Sequence, residues 1–191
     1  LVPLRSQVSE YRLILNPDVV MAEDALRQAL QFMEQAPECG LLAPAVTTSS
    51  GTRQYLCRRL PGIAELLLRG FAPQSWRRRF EKRLHYYEMR DRIGCAITAW
   101  DPPLVSGCFM LLRSEVMERT GGFDPGYFLY FEDYDLSLRA AAGSRPVYRP
   151  GVRIVHHGGG AAHKGWRHVL LFARSACRFF RRHYGRRTDA A

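Results

Sequence analysis

The strongest constraint on this chain is the alternation of strand-length apolar runs with stretches of helical spacing. Tyr11–Leu15 (YRLIL), Leu41–Val46 and Leu104–Arg113 (LVSGCFMLLR, interrupted by Gly107) have the length and apolar content of buried strands. Ala22–Ala36 carries Ala25, Leu26, Ala29, Leu30 and Met33 at spacings of three and four, the stripe of an amphipathic helix. Glu23 and Asp24 suit the positive end of its dipole, and Pro37 closes it. Ser114 can cap a short helix, SEVMERT, which Gly121-Gly122 ends. In FDPGYFLYFEDYDLSLRAAAG the second half reads as a helix from near Glu132 to Gly143. Val147–Arg149 and Val152–Val155 look like two short strands broken by Pro150-Gly151, and a last helix runs from about Trp166 to Tyr184. Ile63–Arg69 and Trp76–Met89 read as two short helices in an excursion from the core. The pattern predicts an α/β layer structure.

A chain of 191 residues is long enough for one domain that buries roughly 70% of its unfolded surface. Its 47% apolar and 24% charged content is that of a globular protein. No apolar run approaches the ~20 residues that span a bilayer. Leu-Val-Pro-Leu-Arg at the start is neither a signal peptide nor an initiator methionine, which suggests a chain cut from something longer. Cys39, Cys57, Cys95, Cys108 and Cys177 are odd in number and show no CxxC spacing, so neutral thiols in a reducing cytosol are expected.

The net charge of +10 attracts polyanions: nucleic acid, anionic lipid headgroups or phosphorylated ligands. One basic cluster comprises Arg77, Arg78, Arg79, Lys82 and Arg83; another occupies the last helix. No DNA- or RNA-binding motif accompanies them, which argues against a nucleic-acid partner. In that helix Val169, Phe172, Ala173, Ala176 and Phe180 share one side, opposite Arg167, Arg174, Arg178, Arg181 and Arg182. Such a helix either docks on the core with a solvated basic face or meets anionic lipid.

Three places could carry chemistry. Asn16-Pro17-Asp18 puts a carboxylate at the end of a buried strand, where it either holds Mg²⁺ or Mn²⁺ with substrate phosphates or caps the following helix. Glu132, Asp133 and Asp135 crowd three carboxylates into four residues. They make either a well-capped helix or a pair poised for general base work, with Asp135 assigned to a surface ion pair with Arg139. His156-His157 follows an apolar strand and precedes Gly158-Gly159-Gly160, so one histidine can be a metal ligand or a structural one.

Read in order, LILNPDV, VSGCFMLLRSEVMERTGGFDPGYFLYFEDYDLSLRAAAG and VYRPGVRIVHHGGG resemble the family-two inverting glycosyltransferases, nearest their rhamnosyltransferase and galactofuranosyltransferase-like branch. The resemblance covers roughly residues 10 to 185, and GGFD followed by F-x-x-x-ED-x-D-L-x-x-R is its most specific part. It implies a GT-A-like, Rossmann-related mixed sheet flanked by helices over 1–191. Asn16 and Pro17 would belong to the donor side. Asp18 and His156 would hold Mn²⁺ or Mg²⁺ against a nucleotide-diphosphate sugar. Asp133, with Glu132 beside it, would deprotonate the acceptor, a saccharide or lipid-linked sugar of the bacterial cell surface. Ser106, Gly107, Gly122, Phe123 and Asp124 would line the acceptor side. Family members carry ~80 residues for the nucleotide base ahead of the metal motif, whereas about ten precede it here. The expectation is therefore a truncated catalytic domain or an inactive remnant that binds glycan or membrane, working at the cytoplasmic membrane face.

Overall fold

A computed structural model describes residues 9–70, 72–93, 97–158 and 165–184. In chain order these form β1 (Tyr11–Leu15), β2 (Val19–Met21), α1 (Ala25–Gln35), β3 (Cys39–Thr47), β4 (Arg53–Gln54), β5 (Cys57–Arg58), α2 (Ile63–Gly70), α3 (Gln74–Arg79) and α4 (Glu81–Tyr87). They continue with β6 (Ala99–Trp100), β7 (Leu104–Val105), β8 (Phe109–Arg113), α5 (Ser114–Thr120), α6 (Glu132–Ala141), β9 (Arg145–His156) and α7 (Trp166–His183). The main sheet runs β1-β8-β3-β9-β2, with β4 beside β3 and β6 beside β9. β3 and β9 are parallel, whereas β8 runs antiparallel to β1 and β3.

Both faces of this mixed sheet are covered, because successive strand residues point to opposite sides. Leu42, Val46, Phe109 and Leu111 meet Ala25, Ala29 and Met33 of α1 on one face. Leu41, Ala43, Met110 and Leu112 meet Val116 of α5 and Leu136 and Ala140 of α6 on the other. The expected α/β layers are therefore present. The small residues of α1 let the helix sit close on the sheet, and Leu26, off that face, is 39% exposed.

Several expected boundaries change. The run 104–113 is two strands in different sheets: β7 pairs with β5, and β8 joins the main sheet after the turn at Gly107. Pro150-Gly151 does not break β9; the proline is absorbed as a register shift opposite Pro44/Ala45 in β3. The excursion has three helices, because Phe80 leaves helical geometry at φ −106°, ψ 24°. Ser114 does not cap α5; its hydroxyl donates to the Ser9 carbonyl instead. Gly121 ends α5 in the left-handed conformation expected of it (φ +70°).

Burial pushes the thiols of Cys39, Cys57 and Cys108 up to about 12, so these are neutral as expected. Cys95, Gly159 and Gly160 lie outside the described residues. Among the described residues, no helix is long and apolar enough to cross a membrane.

Candidate active site

The C-terminal ends of β1, β3 and β9 meet the start of β8 at one edge of the sheet. In open α/β sheets this edge is where ligands bind. Asn16, Pro17 and Asp18 form the turn there between β1 and β2, anchored by the Asn16 N–H donating to the Cys108 carbonyl at 3.0 Å. A strand follows Asp18, so it caps no helix. Its Oδ2 lies 3.4 Å from Nε2 of His156, the last residue of β9. Nδ1 of that ring is 3.0 Å from Gln54 Oε1. With Nδ1 turned to the Gln54 amide, Nε2 is the ring nitrogen on the Asp18 side, the arrangement of a hydrogen-bonding partner behind a metal-ligating imidazole. The His157 N–H donates to the Asp18 carbonyl, while its ring is exposed to solvent.

One carboxylate and one imidazole suit Mn²⁺ or Mg²⁺ and leave positions open for phosphate oxygens and water. Among the described residues there is no cluster of three or more potential ligands, and this pair is what they offer at this edge.

The second part of the site is built where α6 starts against the β7–β8 turn. The Gly107 N–H donates to Asp133 Oδ2 at 2.9 Å, and the Tyr134 N–H to Oδ1 at 2.9 Å. A Cβ at position 107 would stand 3.2 Å from Asp133 Cβ, so glycine is what permits this approach. Directly before the carboxylates, Tyr130 and Phe131 both hold left-handed φ values (+69° and +66°). Each costs about 1–3 kcal/mol, and packing must enforce it. The Phe131 ring is held by Tyr134, Phe172 and Phe179, with centroids 5.2–5.6 Å away.

Glu132, Asp133 and Ser106 line a cavity of about 430 Å³ together with Arg58, Arg69 and Arg77. Burial raises Asp133 above its ordinary carboxylate value, and this outweighs the Gly107 bond and the charge of Arg58. Burial, and then the Asp133 charge, raises Glu132 as well. Its Oε2 is buried with no hydrogen-bond partner among the described residues. A raised folded-state pKa means that Glu132 favours folding below its unfolded value of ~4.3 and loses this as pH rises. At pH 7, Glu132→Gln is thus expected to raise the melting midpoint, with no gain at pH 4, as read by thermal melts.

The rest of the GGFD-to-arginine wording has a different place. Asp124 accepts from Arg178 and Arg182 of α7 and from the Gly126 N–H, and neither it, Gly122 nor Phe123 lines the cavity. Gly122 instead offers its carbonyl to Arg139 at 2.8 Å. Asp135, expected on the surface, is fully buried; Arg139, Arg182 and His183 surround it at 2.7–3.4 Å. The apolar face of α7 is also rotated from expectation. Phe172, Ser175, Ala176 and Phe179 face inward, while Val169 and Ala173 are exposed. Arg178 and Arg182, each with more than 40% of its side chain exposed, reach the partly buried Asp124, and Arg182 also lies 3.4 Å from the buried Asp135.

Arg58, Arg69 and Gln54 were not singled out in the sequence. No local motif marks them, since each gains its role from a distant segment.

The family model "Glycosyltransferase like family 2" matches residues 9–166, and the chain belongs to that family, with the mixed sheet and flanking helices of its GT-A fold. It is 27% identical over 151 residues to N-acetylglucosaminyl-diphospho-decaprenol L-rhamnosyltransferase of Mycobacterium tuberculosis, covering 78% of this chain and 48% of that protein. It is 29% identical over 150 residues to rhamnosyltransferase WbbL of Escherichia coli K12, covering 78% and 52%. The chain thus spans about half the length of these curated relatives. Among solved structures it resembles mannosyltransferase PcManGT from Pyrobaculum calidifontis in complex with GDP-Man and Mn²⁺, with a TM-score of 0.49, 20% identity and coverage of 88% and 39%.

Proposed function

We propose that this chain supplies the metal-binding and acceptor-side part of an inverting, metal-dependent glycosyltransferase of bacterial cell-surface polysaccharide synthesis. The donor is a nucleotide-diphosphate sugar, with rhamnose or galactofuranose as its sugar, and the acceptor a saccharide or lipid-linked hydroxyl. The names of the two rhamnosyltransferase relatives support this choice. The observation that carries it is the Gly107-held Asp133 in a cavity on the same sheet edge as the Asp18–His156 pair.

Asp133 takes the proton as the acceptor oxygen bonds to the anomeric carbon. The bond from that carbon to the diphosphate oxygen breaks, and its electron pair leaves with the nucleoside diphosphate. Asn16 and Pro17 set the turn that presents Asp18. Asp18 and His156 would hold Mn²⁺ or Mg²⁺, whose chemistry when bound is to neutralise charge on the departing diphosphate. Ser106 and Gly107 face the acceptor, while Gly122 and Asp124 brace that side through Arg139 and α7, with the exposed Phe123 between them. Exposed Trp166 and Leu170, with Arg167, Arg174 and Arg181 on the outer side of α7, support docking on anionic lipid at the cytoplasmic face.

The test is donor hydrolysis or transfer with Mn²⁺ and a panel of nucleotide sugars, alongside calorimetry of nucleoside-diphosphate binding. Asp18→Asn and His156→Ala are each expected to weaken Mn²⁺-dependent binding by about 10–100-fold. No turnover together with no metal-dependent nucleotide binding would sink the transferase reading in favour of an inactive binding module.

A further inference from the structure

Three guanidinium groups line the cavity that Glu132 and Asp133 also line. Arg58 comes from β5, Arg69 from the last turn of α2 and Arg77 from α3, and all three line the same cavity. Their convergence needs an explanation, because like charges repel, and Arg58 is buried away from screening water, although Arg69 keeps 38% of its side chain exposed and Arg77 is exposed. Arg58 is 7% exposed. It donates to the Tyr134 hydroxyl, yet its Nε is buried with no partner among the described residues. Among the described residues, Arg69 pairs with Glu88 at 3.4 Å. Its pKa is lowered by burial and then by the positive charge of Arg58. Arg77 is fastened by its Nε to the Ala72 carbonyl and by Nη2 to the Arg69 carbonyl, both at 3.0 Å, which pins α3 against the end of α2. The cavity therefore holds cations that its own carboxylates do not neutralise by direct pairing: Asp133 is bound by backbone amides, and Glu132 leaves an oxygen free.

We propose that Arg58, Arg69 and Arg77 form a phosphate-binding subsite, and that the acceptor carries a phosphate or diphosphate group beside the hydroxyl that is glycosylated. The proposal deepens the transferase reading and rests on it for the word acceptor. Guanidinium groups match phosphate oxygens in geometry as well as charge. An anion between Arg58 and Arg69 relieves their repulsion and gives the orphaned Arg58 Nε–H an acceptor. The cations share the cavity with the base, so an acceptor phosphate can be anchored on them while the acceptor hydroxyl meets Asp133. Asp18 and His156 serve the other diphosphate, that of the donor. The phosphate can come from a lipid diphosphate or from a soluble sugar phosphate, which share this chemistry.

The experiment titrates the purified protein with inorganic pyrophosphate in EDTA, read by calorimetry. Saturable binding without metal is expected, weakened about tenfold to a hundredfold by Arg69→Gln and by the more exposed Arg77→Gln. Asp18→Asn should leave this binding unchanged. Farnesyl diphosphate and glucose 1-phosphate, run in the same way, report the source: tighter binding of the prenyl compound assigns a lipid acceptor, and of the sugar phosphate a soluble one. Mn²⁺-dependent nucleoside-diphosphate binding should be insensitive to both arginine variants. The proposal is overturned if pyrophosphate binds only with metal, if the arginine variants bind it normally, or if they lose nucleoside diphosphate instead. Asp133→Asn separates the two readings, since it removes the base but none of the cations. Transfer abolished by it with arginine-independent pyrophosphate binding leaves the transferase and removes the subsite. Arginine-dependent pyrophosphate binding without any transfer does the reverse.

Discussion

Asp133→Asn is expected to lower kcat by roughly 10²–10⁴-fold, the usual worth of a positioned general base. Asparagine keeps the size of the side chain and can still accept the Gly107 N–H, but its amide cannot take up the acceptor proton. Metal-dependent donor binding, the role proposed for Asp18 and His156, should stay near the wild-type value. The pH profile gives the sharper readout. Burial holds Asp133 above its ordinary carboxylate value, so wild-type kcat/KM must rise with pH as this acid ionises and then level off. The variant should lose that limb along with the rate. If Glu132→Gln removed the limb and Asp133→Asn kept it, Glu132 would be the base. Its unpartnered Oε2 gives it the free lone pairs, while Asp133 has the fixed position.

The largest stability effect is expected at Asp135, two residues beyond Asp133 but outside the cavity. Asp135→Asn leaves Arg139, Arg182 and His183 around a neutral amide in a site with no solvent access. Removing one partner of a buried ionic group costs about 3–5 kcal/mol. For a domain of this size that is a fall of ~6–20 °C in melting midpoint. Burial alone would raise the Asp135 pKa, but the His183 and Arg139 hydrogen bonds and the nearby cations bring it below the ordinary value. The sign follows: its contribution is complete above the unfolded pKa of ~3.9 and is lost as pH falls through the lower folded value. The wild type and the variant should therefore converge in stability under strongly acidic conditions and differ most near neutrality. A variant as stable as the wild type at pH 7 would contradict this account.

These two aspartates stand two positions apart in one motif and do opposite work, which the sequence could not separate. Helix α6 aims them differently. Asp133 faces the Gly107 turn and the cavity, and Asp135 faces α7. The GGFD element divides in the same manner: the Gly122 carbonyl and the Asp124 carboxylate brace arginines rather than line the cavity. Much of the most specific wording in the chain thus holds α5, α6 and α7 together around the carboxylates. The arginine wall was beyond reach because Arg58 and Arg69 sit in segments with no motif, more than 60 residues from Glu132 in the chain.

Local chemistry was enough for much of the rest. Apolar period and length located β1, β3, α1 and α6, since a buried strand or an amphipathic helix leaves its mark residue by residue. The turn at Asn16-Pro17-Asp18, the glycine that ends α5 and the candidate status of Glu132, Asp133, Asp18 and His156 were also readable from neighbouring residues. Only the tertiary structure decided which charges are buried and which way each side chain faces. It set Gln54 behind His156, turned α7 so that Arg178 and Arg182 reach Asp124, and brought Arg58, Arg69 and Arg77 from β5, α2 and α3 to one cavity. A charged side chain carries no local record of its partner, because the cost of burying it is met by groups that the fold, and not the neighbouring sequence, supplies.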